Sequence, residues 1–235
     1  MQIKKAIILS AGFGKRLNPI TLSIPKPLLK INSVTLLENT IKILENFGIN
    51  EILINTHYLS HQINNFIKNK NFNCKISLIH EDKKILDTGG GVLNITKKFN
   101  DDPFFVFNPD TVWLNDHLKD FESMEKLYFE NKLKAILLVV DKQNSFDKTL
   151  KGDFNLNENI IYRNNVEKNY IYTGSQILDN SVFIDKTIKP FSINSVWDFL
   201  INKKKLLEID NKNKFFHITN LEIYNQLIKT GLKFN

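Results

Sequence analysis

Residues 3–9 form an almost wholly apolar run, broken only by Lys4 and Lys5, that empties directly into Ser10-Ala11-Gly12-Phe13-Gly14-Lys15-Arg16-Leu17. A short apolar run that stops at a glycine turn reads as a buried strand. Small residues at Ser10, Ala11, Gly12 and Gly14 let backbone N–H groups approach a ligand without interference from Cβ atoms, and such groups in a turn form an anion-binding nest. Arg16, and Lys26 within Pro25-Lys26-Pro27, add full positive charge nearby. Strand, glycine turn and cations in this order point to a phosphate ligand.

Two familiar glycine motifs are excluded. A Walker A loop ends in Gly-Lys-Ser/Thr, whereas Gly14-Lys15 is followed by Arg16. The dinucleotide fingerprint needs a third glycine at the position of Leu17.

The rest of the chain alternates strands and helices. Apolar residues recur at helical spacing over 34–47, where Gly48 closes the helix, and again over 60–69. Strands are expected over 51–55, 75–79, 103–107, 134–140 and 170–178, helices over 92–99, 121–129 and 192–200, and a hairpin joining 151–154 to 159–163. This rhythm predicts an α/β fold: a Rossmann-like, mostly parallel mixed sheet with helices on both faces. Gly89-Gly90-Gly91 reads either as a flexible turn or as bare backbone against which a flat ring or sugar lies. The run 103–107 ends in Asn108-Pro109-Asp110, and ligands of such sheets gather at the carboxyl ends of strands. Asp110 is thus a cap, a turn former or an oxygen ligand for Mg²⁺.

Composition narrows the function. With 235 residues, 42% of them hydrophobic, the chain suffices for one sizeable domain, and its nine glycines and six prolines mark no linker. The formal charge of +7 comes almost entirely from lysines scattered among asparagines; Arg16 and Arg163 are the two arginines. That argues against nucleic acid as a partner. Cys74 stands alone, so neither an intramolecular disulfide nor a cysteine metal cluster is available. No apolar stretch reaches membrane-spanning length and the N-terminus enters a strand, so no membrane association and a cytoplasmic location are expected.

Leu9-Ser10-Ala11-Gly12-Phe13-Gly14-Lys15-Arg16-Leu17 with Pro25-Lys26-Pro27 resembles the opening of the sugar-phosphate nucleotidyltransferases, with Ser10 where the family usually has a second alanine. The resemblance implies a nucleotide-diphospho-sugar transferase fold in one domain, 1–235, with a nucleotide-binding half over 1–115 and a sugar-phosphate-binding half over 116–235. It implies transfer of a nucleotidyl group from a nucleoside triphosphate to a sugar 1-phosphate, releasing pyrophosphate, with Mg²⁺ as cofactor. Arg16, Lys26 and Asp110 take the catalytic positions. Ser10, Ala11, Gly12, Gly14, Arg16, Lys26, Thr88, Gly89, Gly90 and Asn108 take the nucleotide-binding positions, Asp87-Thr88-Gly89-Gly90-Gly91 being similar to the Glu-Thr-Gly-Gly-Gly of a uridylyltransferase branch. Gly152-Asp153-Phe154 and Tyr172-Thr173-Gly174-Ser175-Gln176-Ile177-Leu178 look like acceptor segments, which makes Gly152, Asp153, Thr173 and Gly174 candidates for holding the sugar phosphate.

One position departs from the pattern. The family carries Trp-x-Asp-Val-Gly-Thr-Pro-Glu, whose aspartate is a second metal ligand beside Asp110; aligned through Glu222, this chain has His217 there, with Thr219-Asn220 for Gly-Thr. Imidazole suits Mg²⁺ poorly but hydrogen-bonds a phosphate or a metal-bound water, and His217 is equally readable as a packed strand residue. The branch most resembled is that of the N-acetylmuramate-1-phosphate uridylyltransferases, a cell-wall recycling activity; mannose-1-phosphate guanylyltransferase is the alternative. A nucleotide-binding regulatory module without turnover is the alternative of another class. The expected partners are the nucleoside triphosphate and the sugar 1-phosphate, bound by a monomer or small homo-oligomer.

Overall fold

Strand β1 (Lys5–Ser10) lies inside a nine-stranded sheet, as its apolar run requires, with Ala6, Ile7 and Ile8 fully excluded from solvent. The computed structural model describes residues 2–234 apart from 83, 97, 98, 100–102, 165 and 166. A two-stranded ribbon, β2 (Lys30–Ile31) and β3 (Val34–Thr35), leads into α1 (Leu36–Phe47), and β4 (Glu51–Thr56), α2 (Ser60–Lys68), β5 (Lys75–His80), α3 (Asp87–Thr96) and β6 (Phe104–Phe107) follow. Then come α4 (His117–Glu130), β7 (Ala135–Asp141), β8 (Asn155–Asn157), β9 (Ile160–Tyr162), β10 (Tyr170–Leu178), α5 (Asn194–Asn202), β11 (Leu207–Asn211) and α6 (Leu221–Lys229).

The sheet order is β5-β4-β1-β6-β10-β7-β11-β9-β8. β5, β4, β1 and β6 run parallel, β11 joins β7 in parallel, and β10 is antiparallel to both β6 and β7. Side chains alternate between the faces, as the two-residue period of a strand dictates. Ala6, Ile8, Phe105, Phe107, Ile136 and Leu138 meet Leu37, Ile41, Ile63, Phe121 and Met124 of α1, α2 and α4. Ile7, Phe104, Val106, Leu137 and Val139 meet Val92, Ile95, Val196, Trp197 and Leu200 of α3 and α5. Both faces are therefore covered. A third apolar cluster joins Ile223, Tyr224 and Leu227 of α6 to Leu17, Leu29, Val112 and Ile218, bracing the segment that follows the glycine turn.

Several boundaries differ from expectation. The helix expected over 34–47 begins at Leu36, because residues 34–35 pair with β2 and the Thr35 hydroxyl accepts from Glu38 N at 3.1 Å as the cap. The hairpin is β8–β9, and Phe154 bridges Tyr170 instead of opening it. β11 and α6 are additions. Gly89, Gly90 and Gly91 lie within α3 rather than in a bare loop ahead of it. The reason is a long-range contact: the segment 189–193 crosses the helix so closely that a Cβ on Gly89 would lie 2.3 Å from Phe191 Cε2, and one on Gly90 2.3 Å from Lys189 O. Gly89 N and Gly90 N donate to Phe191 O at 3.0 and 3.1 Å, so these first-turn donors already have their partner. No helix among the described residues is long and apolar enough to cross a membrane.

Because the obstacle at Gly90 is backbone, Gly90→Ala is expected to cost about 1–3 kcal/mol, seen as a lower urea midpoint with an unchanged m-value. A wild-type midpoint would contradict this close approach.

Candidate active site

β1, β4 and β6 are parallel neighbours, so their carboxyl ends share one rim, and the residues at and just past those ends line one cleft. It has a volume of about 360 Å³, and its walls include Ser10, Ala11, Gly12, Gly14, Arg16, Lys26, Asn55 and Asp110. Gly14 takes a φ of +65°, which favours glycine, and a Cβ there would stand 3.2 Å from Lys26 Cβ. Its carbonyl accepts from Leu17 N at 2.9 Å and from the Thr21 hydroxyl at 3.0 Å, which folds the turn back toward Lys26.

A buried polar relay fixes where the turn begins. Asn55, at the end of β4, accepts from Ser10 N through Oδ1 at 2.7 Å and donates through Nδ2 to Glu81 Oε1 at 2.7 Å. Glu81 Oε2 accepts from Leu86 N at 2.7 Å. Asn55 and Glu81 are both buried, and buried polar groups persist where each finds a partner. The relay ties the exit of β1 to the segment that enters α3.

Charge converges on Asp110. Lys26 Nζ lies 2.5 Å from Asp110 Oδ2, and His217 Nδ1 lies 3.7 Å from Oδ1 across the Thr111–His217 bridge. Burial would raise the Asp110 carboxyl, but the Lys26 ammonium, joined in acid by the protonated His217 ring, outweighs it and holds it down to about 2. Burial pushes the His217 imidazole below its ordinary range; Lys26 and Arg16 act in the same direction, against Asp110. Asp110 is thus an anion at neutral pH facing an uncharged imidazole. Oδ1 is buried without a hydrogen-bond partner, so the residues fit a hard cation through one carboxylate oxygen, with His217 adding only a nitrogen donor. Among the described residues, no group of three or more His, Cys, Asp or Glu side chains is placed to hold a metal ion.

A second chamber of about 440 Å³ adjoins the first, sharing Leu9, Arg16, Asp87, Thr88 and Asn108 as a common wall. Its other walls include Asp153, Tyr172, Gln176, Asn194 and Trp197. Asp153 Oδ2 accepts from Tyr172 N at 2.9 Å, and burial pushes its carboxyl up. Trp197 Nε1 donates to Gln176 Oε1 at 2.9 Å, and the buried Tyr172 hydroxyl lies beside the same Gln176 side chain.

The sequence profile described as nucleotidyl transferase matches residues 5–147, from β1 to beyond β7. The chain belongs to this family. Within its compass, mannose-1-phosphate guanylyltransferase catalytic subunit beta of Xenopus tropicalis is 36% identical over 112 residues, which are 46% of this chain and 31% of that protein. The chain therefore spans about a third of that relative's length. N-acetylmuramate alpha-1-phosphate uridylyltransferase of Caulobacter vibrioides is 21% identical over 221 residues, 92% of this chain and 91% of that one. The crystal structure of UDP-glucose pyrophosphorylase complexed with UDP-glucose has a TM-score of 0.78 at 19% identity, covering 97% of this chain and 98% of that one, a likeness of fold.

Ser10, Ala11, Gly12, Gly14, Arg16, Lys26, Thr88, Asn108 and Asp110 all line the first cleft of this family member. Gly89 and Gly90 do not, being packed on the segment 189–193. Of the residues expected at the sugar phosphate, Asp153 lines the second chamber. Gly152 faces a separate surface pocket beside Lys142, Lys148, Lys151 and Lys168. Thr173 donates its hydroxyl to Leu138 O at 2.8 Å, and Gly174 sits behind Asn108, accepting from Asn108 N at 2.8 Å. Asn55, Glu81, Gln176 and Trp197 were not expected. Asn55 had a signal, a polar residue near the end of an apolar strand that opens on the site.

Asp110 also sets an acid limit. Its folded pKa lies below the unfolded value, so its stabilisation is full above about pH 4 and is lost as pH falls toward about pH 2. Asp110→Asn is expected to flatten the decline of unfolding free energy in that window, by about 2 kcal/mol. Parallel acid limbs for variant and wild type in urea titrations would contradict this assignment.

Proposed function

We propose that this protein transfers a nucleotidyl group from a nucleoside triphosphate to a sugar 1-phosphate and releases pyrophosphate. The observation that carries this reading is the pair of adjoining chambers: one has the glycine turn, Lys26 and Asp110, the other has Asp153, and both touch Arg16. Such an arrangement suits two phosphorylated substrates meeting end to end.

In the proposed reaction an oxygen of the acceptor phosphate attacks the α-phosphorus in line with the departing pyrophosphate. The new P–O bond forms as the bond to the leaving β-phosphate oxygen breaks, so no covalent enzyme intermediate is needed. The acceptor is already an anionic nucleophile, which removes the need for a strong general base. Negative charge accumulates on the equatorial oxygens and the leaving group, and fixed donors aimed there lower the barrier. Backbone N–H groups of residues 11–14 and the Arg16 guanidinium are assigned to the triphosphate, and Lys26 to the α-phosphate. Asp110 holds the Lys26 ammonium at the cleft before any ligand enters, so its ordering is not a further cost of binding. Mg²⁺ is proposed at Asp110 Oδ1, where it supplies positive charge to the triphosphate when bound.

Two donor and acceptor pairs refine this reading. UTP with N-acetylmuramate 1-phosphate is supported by the near end-to-end match to the Caulobacter relative, and GTP with mannose 1-phosphate by the higher identity of the Xenopus relative over 112 residues. A cytoplasmic location and a monomer or small homo-oligomer complete the proposal. A nucleotide-binding module without turnover is the competing reading, favoured by His217 in place of a carboxylate.

Pyrophosphate release from UTP, GTP, CTP and dTTP against a panel of sugar 1-phosphates with Mg²⁺ separates the two. Release with one pair is expected; triphosphate binding without release from any pair would favour the silent module. Lys26→Gln is expected to keep the fold, by circular dichroism, while kcat/KM falls on the order of a hundredfold, about 3 kcal/mol in the barrier. Loss of the folded state would make Lys26 a structural residue instead.

A further inference from the structure

Two donors of different chemistry are held side by side at the first cleft. Segments 110–112 and 216–218 run antiparallel: Ile218 N donates to Asp110 O and Val112 N to Phe216 O, each at 2.9 Å, and Thr111 stands opposite His217. The His217 ring stacks on Phe215, with centroids 5.7 Å apart and planes 11° from parallel. Backbone pairing and a ring contact therefore set where the Asp110 and His217 side chains meet.

His217 Nδ1 lies 3.7 Å from Asp110 Oδ1 and 3.3 Å from Thr111 Oγ1. Thr111 gives its hydroxyl hydrogen to Thr173 O at 2.6 Å, so toward the ring it presents lone pairs. Lys26 Nζ takes Asp110 Oδ2 at 2.5 Å, which leaves Oδ1 to face the imidazole. One ring nitrogen thus stands between two oxygens that only accept. The N–H of an uncharged ring suits that place, and so does a cation once the hydrogen moves to Nε2, because either ring nitrogen of a neutral imidazole can ligate. Two metal–ligand bonds of about 2.1 Å span at most about 4.2 Å, so the 3.7 Å separation lies within reach of a single ion.

Donor type then decides between ions. Mg²⁺ takes oxygen ligands and keeps several of its waters, so an imidazole adds little to its binding. Mn²⁺ and Co²⁺ accept carboxylate and phosphate oxygens as well, and a nitrogen ligand strengthens their hold, that of Co²⁺ more than that of Mn²⁺. We propose that Asp110 and His217 bind one divalent transition-metal ion of the Mn²⁺ or Co²⁺ class together with the triphosphate, in preference to Mg²⁺, with His217 Nδ1 as a direct ligand. This inference rests on the assignment of the triphosphate to the first cleft, and it makes His217 the residue that selects the metal. The selection is one of affinity, so Mg²⁺ in large excess still fills the site.

The test needs no turnover. Protein labelled with ¹⁵N-histidine is loaded with Mn²⁺ and α,β-methylene-UTP or α,β-methylene-GTP, and the electron spin-echo modulation of Mn²⁺ is recorded; calorimetry on the same complexes gives the affinities of Mg²⁺, Mn²⁺ and Co²⁺. Coupling to a directly bound histidine nitrogen is expected in the wild type and its loss in His217→Asp. The ratio of Co²⁺ to Mg²⁺ affinity is expected to fall about tenfold or more in that variant. His217→Asn, which removes the ring without adding a charge, serves the same comparison if His217→Asp does not fold. Mn²⁺ bound without histidine coupling, coupling that persists in a folded variant, or an unchanged affinity ratio would each overturn the inference. Failure of both analogues to bind would overturn the triphosphate assignment, and this inference with it. Histidine coupling in a protein that releases no pyrophosphate with any substrate pair would leave the inference standing while the transferase reading falls.

Discussion

The ion pair between Lys26 and Asp110 is the constraint around which the site is arranged. It joins a short 3₁₀ turn, residues 26–28, to the segment leaving β6, two pieces of chain 84 residues apart. A partly buried pair of this kind is weak support for stability, because desolvation offsets much of the attraction. Its consequence here is positional. An ammonium on a flexible four-carbon stem is held at the cleft, and an aspartate near the end of a buried strand remains ionised although burial opposes it.

The architecture explains why those groups can meet. Parallel strands place their carboxyl ends on one side, and at or just past the ends of β1, β4 and β6 stand residues that the apolar core cannot use: Ser10, Asn55 and Asn108. Asn55 and Glu81 then link two crossings of the chain, the glycine turn and the entrance to α3, through one side-chain amide and one carboxylate. Behind the cleft, α6 packs Ile223 and Leu227 onto the cluster that includes Leu17 and Leu29, so the residues flanking the glycine turn are anchored by an element from late in the chain. The antiparallel β10, inserted between β6 and β7, carries Tyr172 and Gln176 into the second chamber. The first cleft thus depends on parallel crossovers and the second chamber on one antiparallel insertion.

Features encoded locally were legible in the sequence. The apolar strand β6, the glycine turn after β1 and the position of Asp110 just past that strand follow from neighbouring residues, and their placement agrees with the sheet observed. Long-range features were not. Gly89 and Gly90 look like a ligand loop in isolation, but their missing side chains make room for Phe191 and Lys189, about a hundred residues away in the chain. Thr173 looks like a ligand contact within its motif, yet its hydroxyl completes a backbone bond to Leu138. α6 carried a readable signal in Asn220, which caps it by accepting from Ile223 N at 3.0 Å, and in Ile223, Tyr224 and Leu227 at helical spacing. β11 had less: Leu207 and Ile209 alternate with Glu208 and Asp210 over only five residues.

In the proposed reaction the bond broken lies between the α- and β-phosphates. It is tested most directly by following label from nucleoside triphosphate carrying ³²P at either the α or the γ position during turnover with a sugar 1-phosphate. Cleavage between the α- and β-phosphates sends α label into the nucleotide sugar and γ label into pyrophosphate. Transfer of γ label to the acceptor, or its release as inorganic phosphate without pyrophosphate, would contradict it.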